Sequence, residues 1–137
     1  MKIGIDFHGV IDANPKGWTE LIYAYVNEGH KVFIMTGARY STFLHQCAGL
    51  KLFDLMGLVV QKKIEFFSIS DYHSKHNPDK IDLSKPDNPH MEDKELWDKT
   101  KANFAREIEL DMMIDDNKDY VKYFTTPCVL WNKDMLF

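Results

Sequence analysis

Short polar groups follow the apolar runs of this sequence. Asp6-Phe7-His8-Gly9 follows Ile3 to Ile5, and Thr36-Gly37-Ala38-Arg39 follows Val32 to Met35. Ser70-Asp71 follows Ile64 to Ile69, and Asp115-Asp116-Asn117 follows Met112 to Ile114. If the runs are parallel strands, these groups share one edge of a sheet, where open α/β folds bind ligands. Carboxylates gathered there repel one another unless a cation joins them. One or two Asp side chains, with waters and a phosphate, are the usual way Mg²⁺ is held. Asp6 and Asp115 are the natural ligands. A carboxylate can also attack phosphorus and give an aspartyl-phosphate. Thr36 and the Gly37 amide would hold phosphate oxygens, together with a positive side chain.

Lys99 and Lys101 compete for that last role. On a helical wheel of about 100° per residue, Trp97, Phe104, Ala105 and Ile108 form one stripe. Lys101 falls inside the stripe and Lys99 faces away from it. A buried ammonium is costly without a partner, and a carboxylate cluster supplies one; Lys101 is therefore the expected phosphate-site cation. Arg39, just after the Thr-Gly turn, is a candidate contact for substrate phosphate, with a surface ion pair as the plainer alternative. Asp12 and Asp119 read as turn or surface acids. His73, His76 and His90 lie in a polar stretch and read as a solvated loop rather than a zinc site, with His73 and His76 as possible substrate contacts.

The apolar runs, with a fifth at Val129 to Trp131, are continuous rather than alternating, as buried parallel strands are. Between them lie helical patterns. Trp18, Leu21, Ile22, Tyr25 and Val26 make one apolar face of a helix that opens at Asn14-Pro15 and stops at Gly29. Further helices are expected over 40–50, over 89–109 opening at Asn88-Pro89, and over 119–124. This alternation predicts one α/β domain over residues 1–137, a five-stranded parallel sheet with helices on both faces. The stretch Asp71 to Asn88 is poor in apolar residues and reads as a polar loop or partial flap.

The 137 residues make about one domain, 45% hydrophobic and 28% charged, which excludes a disordered chain. The net charge is −4 and Arg39 and Arg106 are the only arginines. Both facts argue against a non-specific nucleic-acid or anionic-membrane binder. Cys47 and Cys128 lie far apart without metal spacing and read as reduced thiols of a cytoplasmic protein. No apolar run is long enough to span a bilayer, and the first residues turn polar too early for a signal peptide. Nothing in the sequence sets an oligomeric state.

Taken in order, the motifs resemble those of the haloacid dehalogenase superfamily of phosphohydrolases, small capless type. Ile3-Gly4-Ile5-Asp6-Phe7-His8-Gly9-Val10-Ile11 resembles the first motif, Asp-x-Asp-Gly-x-[Leu/Ile/Val]. Phe33-Ile34-Met35-Thr36-Gly37 resembles the second, Lys101 fits the third, and Met112-Met113-Ile114-Asp115-Asp116 resembles the fourth. The resemblance spans nearly the whole chain. It implies a Rossmann-like sheet ordered 5-4-1-2-3 and a metal-dependent phosphatase acting on a phosphorylated substrate. Asp6 would attack phosphorus. Mg²⁺ would be held by Asp6, Asp115 and the backbone carbonyl of residue 8, with Asp116 in support. Thr36 and Lys101 would orient and neutralise the phosphoryl group.

One position departs from the family. Its second Asp, the general acid and base, is His8 here. His8 could do the same work, since an unperturbed pKa of about 6.5 suits proton transfer near neutral pH. It could instead ligate the metal, which would favour Mn²⁺, Co²⁺ or Ni²⁺. Or proton transfer is lost, at a cost of about 10²–10⁴-fold in rate, leaving a binding or regulatory protein.

Overall fold

A computed structural model of the chain describes residues 1–85 and 87–132. In chain order its elements are β1 (Lys2–Ile5), α1 (Pro15–Asn27), β2 (Lys31–Thr36), α2 (Tyr40–Gly49), α3 (Phe53–Val60), β3 (Glu65–Ser68), α4 (Ile69–His76), β4 (Ile81–Asp82), β5 (His90–Met91), α5 (Lys94–Glu107), β6 (Met112–Asp115), α6 (Lys118–Val121) and β7 (Cys128–Leu130). A single wide turn over Phe7–Ile11 joins β1 to α1. Five strands form one sheet in the order β3-β2-β1-β6-β7. Every pairing in it is parallel. β4 and β5 make a separate antiparallel hairpin.

The strand period of two divides the apolar residues between two cores. Ile3, Ile5, Val32, Ile34 and Ile114 pack with Ile22 of α1, Phe43 of α2 and Leu55 and Leu58 of α3. Phe33, Met35, Phe67 and Met113 pack with Ala105 of α5 and with Leu110. Both faces of the sheet are therefore covered, which is why these runs read as continuous rather than alternating. Each fully buried large side chain contributes about 1.5–3 kcal/mol. On β1, Gly4 faces the second core. A Cβ there would come within 2.6 Å of Met113 Sδ and 2.8 Å of Met35 Sδ, so its absence lets the two methionines close over the strand.

Helix α1 begins as its sequence indicates. The Asn14 side chain accepts from Gly17 N–H at 3.2 Å, and Gly29 takes up φ 86° just past the end. Elsewhere the structure corrects the sequence reading. Helix α3 had no counterpart in it, because Phe53–Val60 is apolar nearly all round and shows no contrast between faces. Strand β3 ends at Ser68, whose hydroxyl accepts from Asp71 N–H at 3.0 Å and starts α4. The residues from Asp71 onward are thus partly helix, and the rest of that stretch holds β4. Helix α5 starts at Lys94, capped by Asp93, which accepts from Leu96 N–H at 3.0 Å. Asn88-Pro89 lies in the preceding loop. Among the described residues no helix is long and apolar enough to cross a membrane.

His73 is the clearest departure from a solvated loop. It is buried on α4, not presented to a substrate. Thr100 donates its hydroxyl to Leu96 O at 2.6 Å, so it accepts from His73 Nε2–H at 2.7 Å. His73 Nδ1 then accepts from the Asn77 amide at 3.1 Å. Both ring nitrogens are satisfied in the neutral form. Burial, and then the charges of Lys80 and His76, lower its pKa. A lowered folded-state value means that stability is present above the unfolded value of about 6.5 and is lost as pH falls below it. Thermal melts from about pH 8 to 5 are expected to show the parent losing stability relative to His73→Gln. The limiting slope is about 1.4 kcal/mol per pH unit for one proton; parallel curves would contradict a buried neutral His73.

Candidate functional site

Register brings the acids together. Ile5 pairs with Ile114, so Asp6 and Asp115 leave adjacent strands side by side. Ile5 also pairs with Ile34, which sets Thr36 one residue beyond Asp6 at the end of β2. Alternation puts Asp6 on the face of Gly4 and Asp115 on the face of Met113, both toward α5. From α5 comes Lys101, fully buried in the helix stripe. Its ammonium donates to Asp6 Oδ1 at 2.9 Å and to Asp115 Oδ2 at 2.8 Å. The Tyr120 ring covers it, with Nζ 4.5 Å from the ring centre. Burial works to lower the Lys101 pKa, but the charges of Asp6 and Asp115 outweigh it and raise the value.

Asp115 is held on its other side by Asn117 N–H, 3.0 Å from Oδ1. Asp116 is exposed, yet one carboxylate oxygen from each of Asp6, Asp115 and Asp116 lies within 4.8 Å of the others. The approach of Asp116 depends on Gly9, which has φ 83°. A Cβ at Gly9 would overlap the Asp116 carboxylate. Gly9→Ala is therefore expected to push Asp116 out, and a Mg²⁺ or Mn²⁺ held by the cluster would bind about 10–100-fold more weakly, the usual cost of disturbing a ligand's support. Calorimetric titration checks it; unchanged affinity would separate Asp116 from the metal.

Burial pushes the Asp6 carboxyl from 3.8 up to about 8, with Lys101 opposing and Asp115 adding to the rise. Three carboxylates face one ammonium, leaving two negative charges uncompensated when all are ionised. A divalent cation matches that deficit, and all-oxygen carboxylate donors suit Mg²⁺ or Mn²⁺. The residues thus fit the metal, with Asp6, Asp115 and Asp116 to hold it.

His8 stands apart from this cluster. Its side chain is 45% exposed, and Nδ1 lies 3.3 Å from Asp12 Oδ2. The other Asp12 oxygen accepts from Gly9 N–H at 2.7 Å. Asp12, read from sequence as a turn acid, therefore both closes the turn and orients His8. The spacing of four residues was its only sequence signal. Thr36 is buried, its hydroxyl accepting from Ala38 N–H at 3.3 Å. Gly37 O accepts from Ser70 N–H at 3.3 Å and from the Ser70 hydroxyl. Arg39 is held by Asp71, with Nε 3.4 Å from Oδ1, while Asp71 Oδ2 accepts from Tyr40 N–H at 2.8 Å. Those two residues form a bracket at the start of α2 and are not among the lining of the cleft.

The cleft itself holds about 650 Å³ and is lined by Asp6, His8, Gly9, Thr36, Gly37, Asp116 and the 87–89 loop. Trp97 and Tyr120 also line it. Neither is marked as a site residue by the sequence: Trp97 fits the apolar stripe of its helix, and Tyr120 lies within the short helix expected over 119–124. Compared with known proteins, the chain matches no family model, and no curated protein or solved structure is significantly similar to it.

Proposed function

We propose that this chain is a metal-dependent phosphomonoester hydrolase of haloacid dehalogenase type, working in a Rossmann-like domain through an aspartyl-phosphate on Asp6. The observation that carries the reading is the buried Lys101 bridging Asp6 and Asp115 beside Asp116. Lys101 compensates only one of the three clustered acids; a divalent cation held there would compensate the other two, as in phosphoryl-transfer sites. A bound Mg²⁺ supplies charge neutralisation at the phosphoryl oxygens. Asp6 attacks phosphorus, and the P–O bond to the alcohol breaks. His8, oriented by Asp12, gives its proton to the leaving oxygen. It then takes a proton from water, which attacks phosphorus and frees Asp6 and inorganic phosphate. Thr36 and Gly37, which line the cleft, orient the phosphoryl group, and Lys101, buried behind them, offsets charge through the two carboxylates it bridges.

A second reading keeps the metal and phosphate site without turnover. The exposed His8 ring, standing outside the acid cluster, favours it. One assay separates the two: hydrolysis of an aryl phosphate between about pH 5 and 8, where histidine titrates, with Mg²⁺, Mn²⁺, Co²⁺ or Ni²⁺. Metal-dependent release that a chelator abolishes is the expected result. Metal binding without release, with turnover gained in His8→Asp, would establish the second reading instead.

A further inference from the structure

We infer that the cleft takes a phosphomonoester of a small alcohol that bears a planar ring, with the ring laid against Trp97. This rests on the phosphoryl group being held at Asp6. The cleft of about 650 Å³ lies within the roughly 300–1,000 Å³ of small-molecule sites and extends well beyond what a phosphoryl group fills. Trp97 stands one helical turn before Lys101 on α5, so indole and ammonium share a helix face.

Two contacts fix the indole. Its Nε1–H donates to the Tyr120 hydroxyl at 2.9 Å. Its edge lies against Gly37, where an added Cβ would come within 3.0 Å of Cζ2. The only polar group of the ring is thereby used inside the protein, and what it offers a ligand is π and hydrocarbon surface. A wall already held in place loses little freedom on binding. Gly37 follows Thr36, so the wall begins beside the expected phosphoryl position. Tyr120 continues it over Lys101, and Pro89 adds apolar surface from the loop before α5. An anion-binding end and an aromatic wall in one cleft match an amphipathic ligand. A sugar phosphate would leave the wall unused, and Asp87 and Asp119, which outnumber Lys118 in the same lining, disfavour a polyanion.

The test compares nucleoside 5′-monophosphates with ribose 5-phosphate, the same ester without the ring, under Mg²⁺. The parent is expected to favour the nucleotides in kcat/KM by about tenfold or more, the usual scale of base stacking on an aromatic side chain. In Trp97→Leu that ratio falls toward unity. Pro89→Gly, on the loop, gives a second variant that narrows the ratio if Trp97→Leu does not fold. Equal handling of both esters by the parent, or a ratio intact in both variants, overturns the ring subsite. If neither ester is hydrolysed, the phosphatase reading fails and the subsite is read from calorimetry of the same pair. Tighter nucleotide binding that Trp97→Leu removes upholds it, and equal binding overturns it.

Discussion

Asp6→Asn is expected to lower turnover of an aryl phosphate by about 10⁴-fold or more, the scale of losing a covalent nucleophile. The fold is expected to survive. Asn is isosteric with Asp, and its amide oxygen can still accept from Lys101. Burial raises the Asp6 carboxyl while Lys101 holds it in an ion pair, so the thermal midpoint without metal shows whether the exchange for a neutral group disturbs the fold. Metal affinity should fall, because one of the three carboxylates proposed to hold the ion has gone. Activity, melting and metal titration on one preparation separate these effects. A variant that folds, binds metal weakly and still turns over would remove Asp6 from the chemistry.

Lys101→Met has the largest expected effect on stability. The ammonium is fully buried and bridges two buried carboxylates. Removing one side of a buried ion pair typically costs about 3–5 kcal/mol, because the remaining charge stays desolvated. Methionine keeps most of the volume, so the loss reflects charge rather than a cavity. A divalent cation that binds only the folded acids, as proposed, is expected to restore about 2.7 kcal/mol at a hundredfold excess over its Kd. Urea unfolding with and without Mg²⁺ measures both quantities. A loss under about 1 kcal/mol, the scale of an exposed pair, would contradict the buried bridge. Turnover should fall by about 10²–10³-fold, as when a preorganised charge is removed from a transition state.

The sheet was legible because buried parallel strands leave uninterrupted apolar runs, each followed here by polar residues that sit at its carboxyl end. Lys101 was legible for a related reason, as a charge inside an apolar helix stripe has to be paired. Helix α3 was not, since Phe53–Val60 carries no polar face to mark a period. Helix α4 was hidden because only Ile69, Ser70 and His73 are buried on it, too few to outweigh its Lys, Asp and His content. His73 read as solvated because its partners, Thr100 and Asn77, are joined to it only by tertiary packing. Arg39 adjoins the Thr-Gly turn in sequence, but Asp71 of α4, two helices on, captures it. Within the candidate site, Asp6 just past β1, Asp115 of β6 and Lys101 of α5 converge as strand-end logic requires. The aromatic wall was invisible for the opposite reason, since Trp97 and Tyr120 look the same in a core and in a cleft.

The most direct measurement is mass analysis of the protein quenched in acid while it turns over an aryl phosphate with Mg²⁺. One phosphoryl group on the peptide containing Asp6, released by hydroxylamine and absent from Asp6→Asn, is the expected result. Product accumulating with no phosphoryl group on Asp6, or with the group on another residue, would contradict an aspartyl-phosphate mechanism.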